Sequence, residues 1–149
     1  MEKRRFFILE ILIIGIVVFF ISTFLFQICF VKGNSMLPTF SDGQVLVARK
    51  IAINIRNNDV VIIKKDNKVI IKRVIGIPND KIKFENGYVC VNGIRFDERY
   101  VKEFGNITEE ITLKENQYFV LGDNRNESVD SRFDEIGIID RNEIVGLII

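Results

Sequence analysis

The chain has 149 residues, no histidine, two cysteines, and 21 Lys and Arg against 20 Asp and Glu. Without histidine a Ser-His-Asp triad is excluded, and two distant cysteines supply neither a zinc site nor a disulfide framework. Lys3, Arg4 and Arg5 precede the first apolar segment, and from Val31 onward 18 basic residues face 18 acidic ones. That neutral balance argues against nucleic acid, whose phosphates need a net basic surface.

Residues Phe6 to Phe30 form an apolar stretch of 25 residues in which only Glu10 and Gln27 are strongly polar. As a helix at ~1.5 Å per residue it covers roughly 37 Å, more than the ~30 Å of a hydrocarbon layer. A cleavable signal peptide would have a shorter apolar run and small residues at its end, where this chain has Phe26-Gln27-Ile28-Cys29-Phe30. The segment therefore reads as an uncleaved anchor. Basic residues on its N-terminal side place residues 1–5 in the cytoplasm, 6–30 in the membrane and 31–149 outside.

Beyond the anchor, short β-type runs alternate with turn residues, and none keeps a 3.6-residue period. Strands are predicted over Gln44 to Ala48, Asp59 to Lys64, Lys68 to Ile75, Lys81 to Phe84, Tyr88 to Val91, Ile111 to Lys114, Tyr118 to Leu121 and Ile144 to Ile149. Asp66-Asn67, Asn86-Gly87 and Asn92-Gly93 are turn signals, and the last two predict a small meander from Lys81 to Phe96. The charged stretch from Asp97 to Glu110 reads as a loop, and Cys29 and Cys90 read as small apolar fillers.

One serine stands out. Ser35 follows the anchor closely, in Gly33-Asn34-Ser35-Met36-Leu37-Pro38-Thr39, and without histidine its proton must go to another base. The candidate is Lys72. If Lys68 to Ile75 is a strand, Lys72 shares a face with Ile70 and Val74, and Arg73 points to the other. An apolar setting disfavours the ammonium, and lowering a lysine from ~10.4 to near 7–8 takes roughly 4 kcal/mol of environmental discrimination. Arginine could not serve, because its guanidinium stays charged.

Three separated motifs resemble those of bacterial type I signal peptidases of the Gram-positive kind. Ser35-Met36-Leu37-Pro38-Thr39 is similar to that family's nucleophile box, Lys72 to Pro78 followed by Asp80 to its base box, and Gly122 to Arg132 to its last box. The resemblance implies a Ser35 nucleophile, a Lys72 general base, Met36 packed beside them, and Ser128 hydrogen-bonded to the lysine nitrogen. It further implies an Asp130–Arg132 ion pair beneath the site, with Asp123 helping to hold that loop. Ser35 N–H would serve the oxyanion, and Gly33 stands where many relatives carry a second hydroxyl donor. Asn79 replaces a usual glycine, and Gln44 a usual acidic residue. A calcium loop over 122–132 fails, since Arg125 falls where an oxygen ligand belongs.

The expected fold is mostly β: an antiparallel-sheet catalytic domain with a small β insertion over 81–117, preceded by one transmembrane helix. The implied activity is removal of signal peptides from exported preproteins at the outer membrane face, with membrane lipid as neighbour and neither metal nor organic cofactor. Two rivals stand beside it. Self-cleaving repressors share the Ser-Lys chemistry but are cytosolic, and often carry a DNA-binding domain for which this chain has neither room nor charge. A non-catalytic, membrane-anchored β module assisting pilus or exported-protein assembly would not need the serine and lysine that are present.

Overall fold

A computed structural model describes residues 2–50, 54–66, 68–85, 88–96 and 109–149. It begins with helix α1 (Glu2–Leu25), whose segment Phe6–Leu25 is apolar and has no buried residue. The helix stops five residues short of the end of the apolar run. Phe26–Phe30 is strand β1 instead, paired antiparallel with β2 (Val45–Arg49) from Phe26↔Arg49 to Phe30↔Val45. The anchor expected over 6–30 is thus a helix followed by a strand. Pairing with β2 makes these five residues a strand, and Gln27 packs toward Gly146 of the same sheet, where an added Cβ would stand 2.7 Å from Nε2.

The remaining elements are β3 (Val60–Lys65), β4 (Lys68–Gly76), β5 (Lys81–Glu85), β6 (Tyr88–Val91), β7 (Ile94–Arg95), β8 (Ile111–Thr112), β9 (Gln117–Leu121), β10 (Ile139–Asp140) and β11 (Ile144–Ile148). Two short 3-10 turns, Arg125–Glu127 and Arg141–Glu143, lie among them. Seven strands form one antiparallel sheet in the order β1-β2-β11-β3-β4-β9-β10, and four form a second in the order β7-β6-β5-β8. Each strand expected from the sequence is present within a few residues. β1 and β10 were not expected, one hidden in the apolar run and the other only two residues long.

Turn chemistry accounts for several corners. Asn92 and Gly93 adopt φ of 54° and 77° in the two-residue loop joining β6 to β7, the left-handed geometry such hairpins require. Asn79 has φ 72°, which asparagine tolerates in place of glycine. The expected Asn86-Gly87 turn, Asn67 of the Asp66-Asn67 turn, and most of the expected 97–110 loop lie outside the described residues.

β9 shows how the two sheets share a core. Tyr118 and Val120 pack with Val61, Val74 and Ile139 on one face, whereas Phe119 and Leu121 pack with Ile75, Ile82 and Leu113 on the other. A strand buried on both faces reads as an unbroken apolar run, as Tyr118-Phe119-Val120-Leu121 does. Asp80 ties the sheets together, accepting hydrogen bonds from Asn57 Nδ2 (3.2 Å), Asn92 Nδ2 (2.8 Å) and Ile77 N–H (3.0 Å).

Gly76 sits where the second sheet presses closest, and a Cβ there would stand 2.6 Å from Ile82 Cδ1 and 2.8 Å from Leu113 Cδ1. Both side chains are fully buried and have nowhere to move. Gly76→Val should therefore lower stability by about 1–3 kcal/mol, the usual range for overpacking, in denaturant titration of the detergent-solubilised protein.

Candidate active site

The Ser35 loop starts where β1 ends. Val31 N–H donates to Gln44 O and Gly43 N–H to Val31 O, so the loop leaves and rejoins the β1–β2 ribbon at one point. Gly33 turns the chain with φ 84°, and its N–H donates to Asp42 Oδ1 at 2.6 Å. Leu37 N–H to Asn34 O and Phe40 N–H to Met36 O then close tight turns around Ser35 and a fully buried Met36.

Lys72 lies on β4 opposite Val61, with Ile70 and Val74 on its face in one apolar cluster, as the strand reading requires. Its Nζ stands 2.8 Å from Ser35 Oγ, and only 4% of the residue is exposed. Burial is the main reason that its pKa falls from 10.5 to about 8. Asp130 favours the charged form and opposes the fall, Arg132 supports it, and Asp123 adds a smaller opposition. An amine with a pKa near 8 has an available lone pair close to neutral pH, which a hydroxyl at hydrogen-bond distance can use.

Arg73 points to the opposite side of β4 and finds a partner there. Its Nε and Nη2 donate to Asp123 Oδ1 and Oδ2 at 2.8 and 2.6 Å, and Thr39 Oγ1 donates to the same carboxylate at 2.5 Å. Asp123 therefore joins all three motifs, a wider role than holding its own loop. Asn124 adds a second clamp, with its N–H on Ser35 O (3.0 Å) and its side-chain amide on Asn34 O (3.3 Å). Asn124 reads from sequence as a turn former, and no local signal marks it or Thr39 as a clamp.

Asp130 and Arg132 form the ion pair that the resemblance implies, with Nε–Oδ1 at 2.8 Å and Nη2–Oδ2 at 3.0 Å. Asp130 Oδ2 also accepts Gly122 N–H, and Arg132 Nη2 reaches the carbonyls of Arg125 and Ser128, so the pair staples the last motif to itself. Ser128 departs from expectation. It is 4% exposed, but it makes no hydrogen bond to Lys72, and its Oγ has no partner among the described residues. It packs against Gly122 instead: an added Cβ there would lie 2.1 Å from Ser128 Oγ and 2.6 Å from Ser35 O.

A cleft opens over the pair, lined on one side by Cys29, Phe30, Val31 and Lys32 and on the other by Val69 to Lys72, with Ile62 and Met36 completing it. β2, β11 and β3 separate β1 from β4 in the sheet, so the sheet curls enough for both to border one cleft. β9 pairs with β4 only from Arg73 onward, which leaves the Lys68–Lys72 edge open. Ser35 N–H meets no protein acceptor among the described residues. Among the same residues no three His, Cys, Asp or Glu side chains come together as a metal site.

Comparison with known proteins agrees with this geometry. The family model described as signal peptidase, peptidase S26, matches residues 4–149. Signal peptidase I P of Bacillus subtilis subsp. natto is 37% identical over 153 aligned residues, covering 92% of this chain and 82% of the relative. Signal peptidase IB of Staphylococcus aureus is 33% identical, covering 93% and 84%. The crystal structure of a signal peptidase I from Enterococcus faecalis V583 superposes with a TM-score of 0.52 at 25% identity, covering 63% of this chain and 96% of that one. A serine and a desolvated lysine in contact, on a curled antiparallel sheet behind an apolar helix, thus belong to a member of the signal peptidase family, peptidase S26, the serine peptidases that remove signal peptides.

Proposed function

We propose that Ser35 is the nucleophile and Lys72 the general base of this signal peptidase, acting on exported preproteins at the outer face of the membrane. The observation that carries the reading is the 2.8 Å contact between Lys72 Nζ and Ser35 Oγ, with the amine buried. Neutral Lys72 takes the hydroxyl proton as Oγ attacks the scissile carbonyl. The resulting ammonium returns that proton to the leaving amine, and water then resolves the acyl-enzyme. Ser35 N–H, which no acceptor among the described residues engages, faces the developing oxyanion. Ser128 is assigned to the ammonium: a buried hydroxyl without a partner is unfavourable, and a transient charge nearby would give it one. Asp123, Asp130, Arg132 and Met36 hold the frame.

Substrate binds extended along the open edge of β4, where Lys68 to Ile71 have no second strand neighbour among the described residues. Val31, Ile62, Ile70 and Ile71 give the cleft an apolar part beside Ser35 and Lys72, suited to small side chains before the cut. The anchor orientation follows from Lys3, Arg4 and Arg5 ahead of the apolar span of α1, which keep the N-terminus cytoplasmic and the β domain outside.

Ser35→Ala and Lys72→Ala should each reduce cleavage of a preprotein ending its signal in Ala-X-Ala by about 1,000-fold or more, measured with purified enzyme in detergent. Activity should rise about tenfold per pH unit below pH 8 and level off above it, since only neutral Lys72 is competent. A rate flat from pH 5 to 9 would exclude Lys72 as the base.

The lowered pKa also has a stability sign. Below about pH 8 the fold holds a desolvated ammonium, and the penalty fades as pH rises toward 10.5, where the unfolded chain also loses its proton. The difference between 10.5 and about 8 corresponds to roughly 3 kcal/mol. Lys72→Met should therefore abolish cleavage and yet raise stability at pH 7 by about 1–3 kcal/mol in denaturant titration. Asp123→Ala should do the opposite to stability, lowering it by about 3–5 kcal/mol, because it leaves buried Arg73 without its carboxylate.

A further inference from the structure

The cleft wall that follows β1 carries its side chains in two rows. Cys29 and Val31 are the more buried, whereas Ile28 and Phe30 are exposed. Val31 N–H still pairs with Gln44 O, so the alternation runs on past the strand, and Lys32 falls in the exposed row. No carboxylate or other acceptor among the described residues engages its ammonium. Asp42, across the same loop, accepts from Gly33 N–H instead. Lys68, at the far end of the open β4 edge, is already paired with Glu135.

Charge on the cleft is therefore one-sided. Among the described residues that line it, Lys32 and Lys72 carry amines and none is acidic. Lys72 must be neutral to act as the base proposed above, which leaves Lys32 as the lasting charge on the wall. A substrate strand seated between β1 and β4 alternates as they do. The small residues on either side of X in Ala-X-Ala turn into the apolar part beside Val31 and Ile70. X then turns outward, toward the row that holds Phe30 and Lys32.

We propose that Lys32 determines specificity at X, drawing acidic side chains to that position and rejecting basic ones. This rests on the Ser35–Lys72 chemistry and the strand-edge binding proposed above, and deepens them. An ammonium with no internal acceptor keeps its three donors for a substrate carboxylate. A lysine or arginine at X would instead be set beside a like charge, which is discrimination by repulsion. The contact is exposed, so it changes the rate several-fold rather than by orders of magnitude. It is also screened, over about 10 Å at 0.1 M salt and about 3 Å at 1 M. Such a contact sets which preprotein is cut, and leaves the chemical step to Ser35 and Lys72.

The test uses full-length enzyme in an uncharged detergent and preproteins whose X is Glu, Gln or Lys, read as ratios of kcat/KM. Wild type should cleave the Glu substrate about tenfold faster than the Lys substrate in about 0.02 M salt, and the ratio should fall to about threefold or less in about 0.5 M. Lys32→Gln should bring the ratio to within about twofold at either salt, and Lys32→Glu should invert the order. Each ratio compares two substrates on one enzyme, so a general loss of activity does not mask it. A wild type that does not distinguish Glu from Lys at X, or an order that Lys32→Glu leaves unchanged, would overturn the proposal. So would an equal ratio when the same exchange is moved about four residues beyond the cut, since the preference would then not belong to X. If Lys32→Glu yields no folded enzyme, Lys32→Gln decides, and an undiminished ratio there overturns it. Failure of the parent reading looks different: cleavage of the Gln substrate that Ser35→Ala leaves intact.

Discussion

The constraint on which the site depends is the removal of water from one amine. In solution a lysine is protonated at every pH at which proteins ordinarily work, and a protonated lysine has no lone pair to offer. The fold lowers the value by burying Lys72 between Ile70 and Val74, although two nearby carboxylates act against the change. Asp130 and Asp123 would be poor neighbours for a general base if their charges were free. Each is instead held by two bonds from an arginine, Asp130 by Arg132 and Asp123 by Arg73. These arginines therefore hold loops in place, and Arg132 also opposes the field that would keep Lys72 charged.

The same bonds make one site from three segments far apart in the chain. Ser35 sits on a loop, Lys72 on a strand and Asp123 to Arg132 on a second loop, and none positions another by sequence proximity. Asn124 holds the carbonyls of Asn34 and Ser35, and Asp123 holds both Arg73 and Thr39. Close approach completes the assembly, since Gly122 leaves no room for a side chain between Ser128 and Ser35. A glycine that looks like a loop residue in the sequence thus acts as a spacing element.

Much of this was legible because strand period and turn chemistry are local. The alternation along β4 puts Lys72 among apolar neighbours and Arg73 on the other face, and both follow from a period of two. The boundary of α1 was not legible, because hydropathy cannot separate a lipid-facing helix from an apolar edge strand. Phe26 to Phe30 is as apolar as the residues before it, and only pairing with β2 makes it a strand. Nor could sequence find Thr39 and Asn124, whose bonds cross the fold. Ser128 marks another limit: the resemblance implied a bond to Lys72, but its orientation depends on packing against Gly122, which no motif encodes.

In the proposed mechanism the position of Lys72 along β4 connects base and substrate. At Arg73 the strand has β3 on one side and β9 on the other, and Val74 is held between β9 and the backbone of Asn58 and Asp59; from Lys68 to Ile71 β3 alone pairs with it among the described residues. Lys72 stands at the change from one regime to the other. Its backbone inherits the rigidity of a fully paired strand, and the next residues still offer an open edge. In the proposed mechanism a preprotein segment adds to that edge and covers Val69, now 65% exposed, together with the mouth of the cleft. Binding would then exclude water from above Ser35, strengthening the interactions of the amine that takes the proton. One strand can hold the base and receive the substrate only if its pairing ends where it does here.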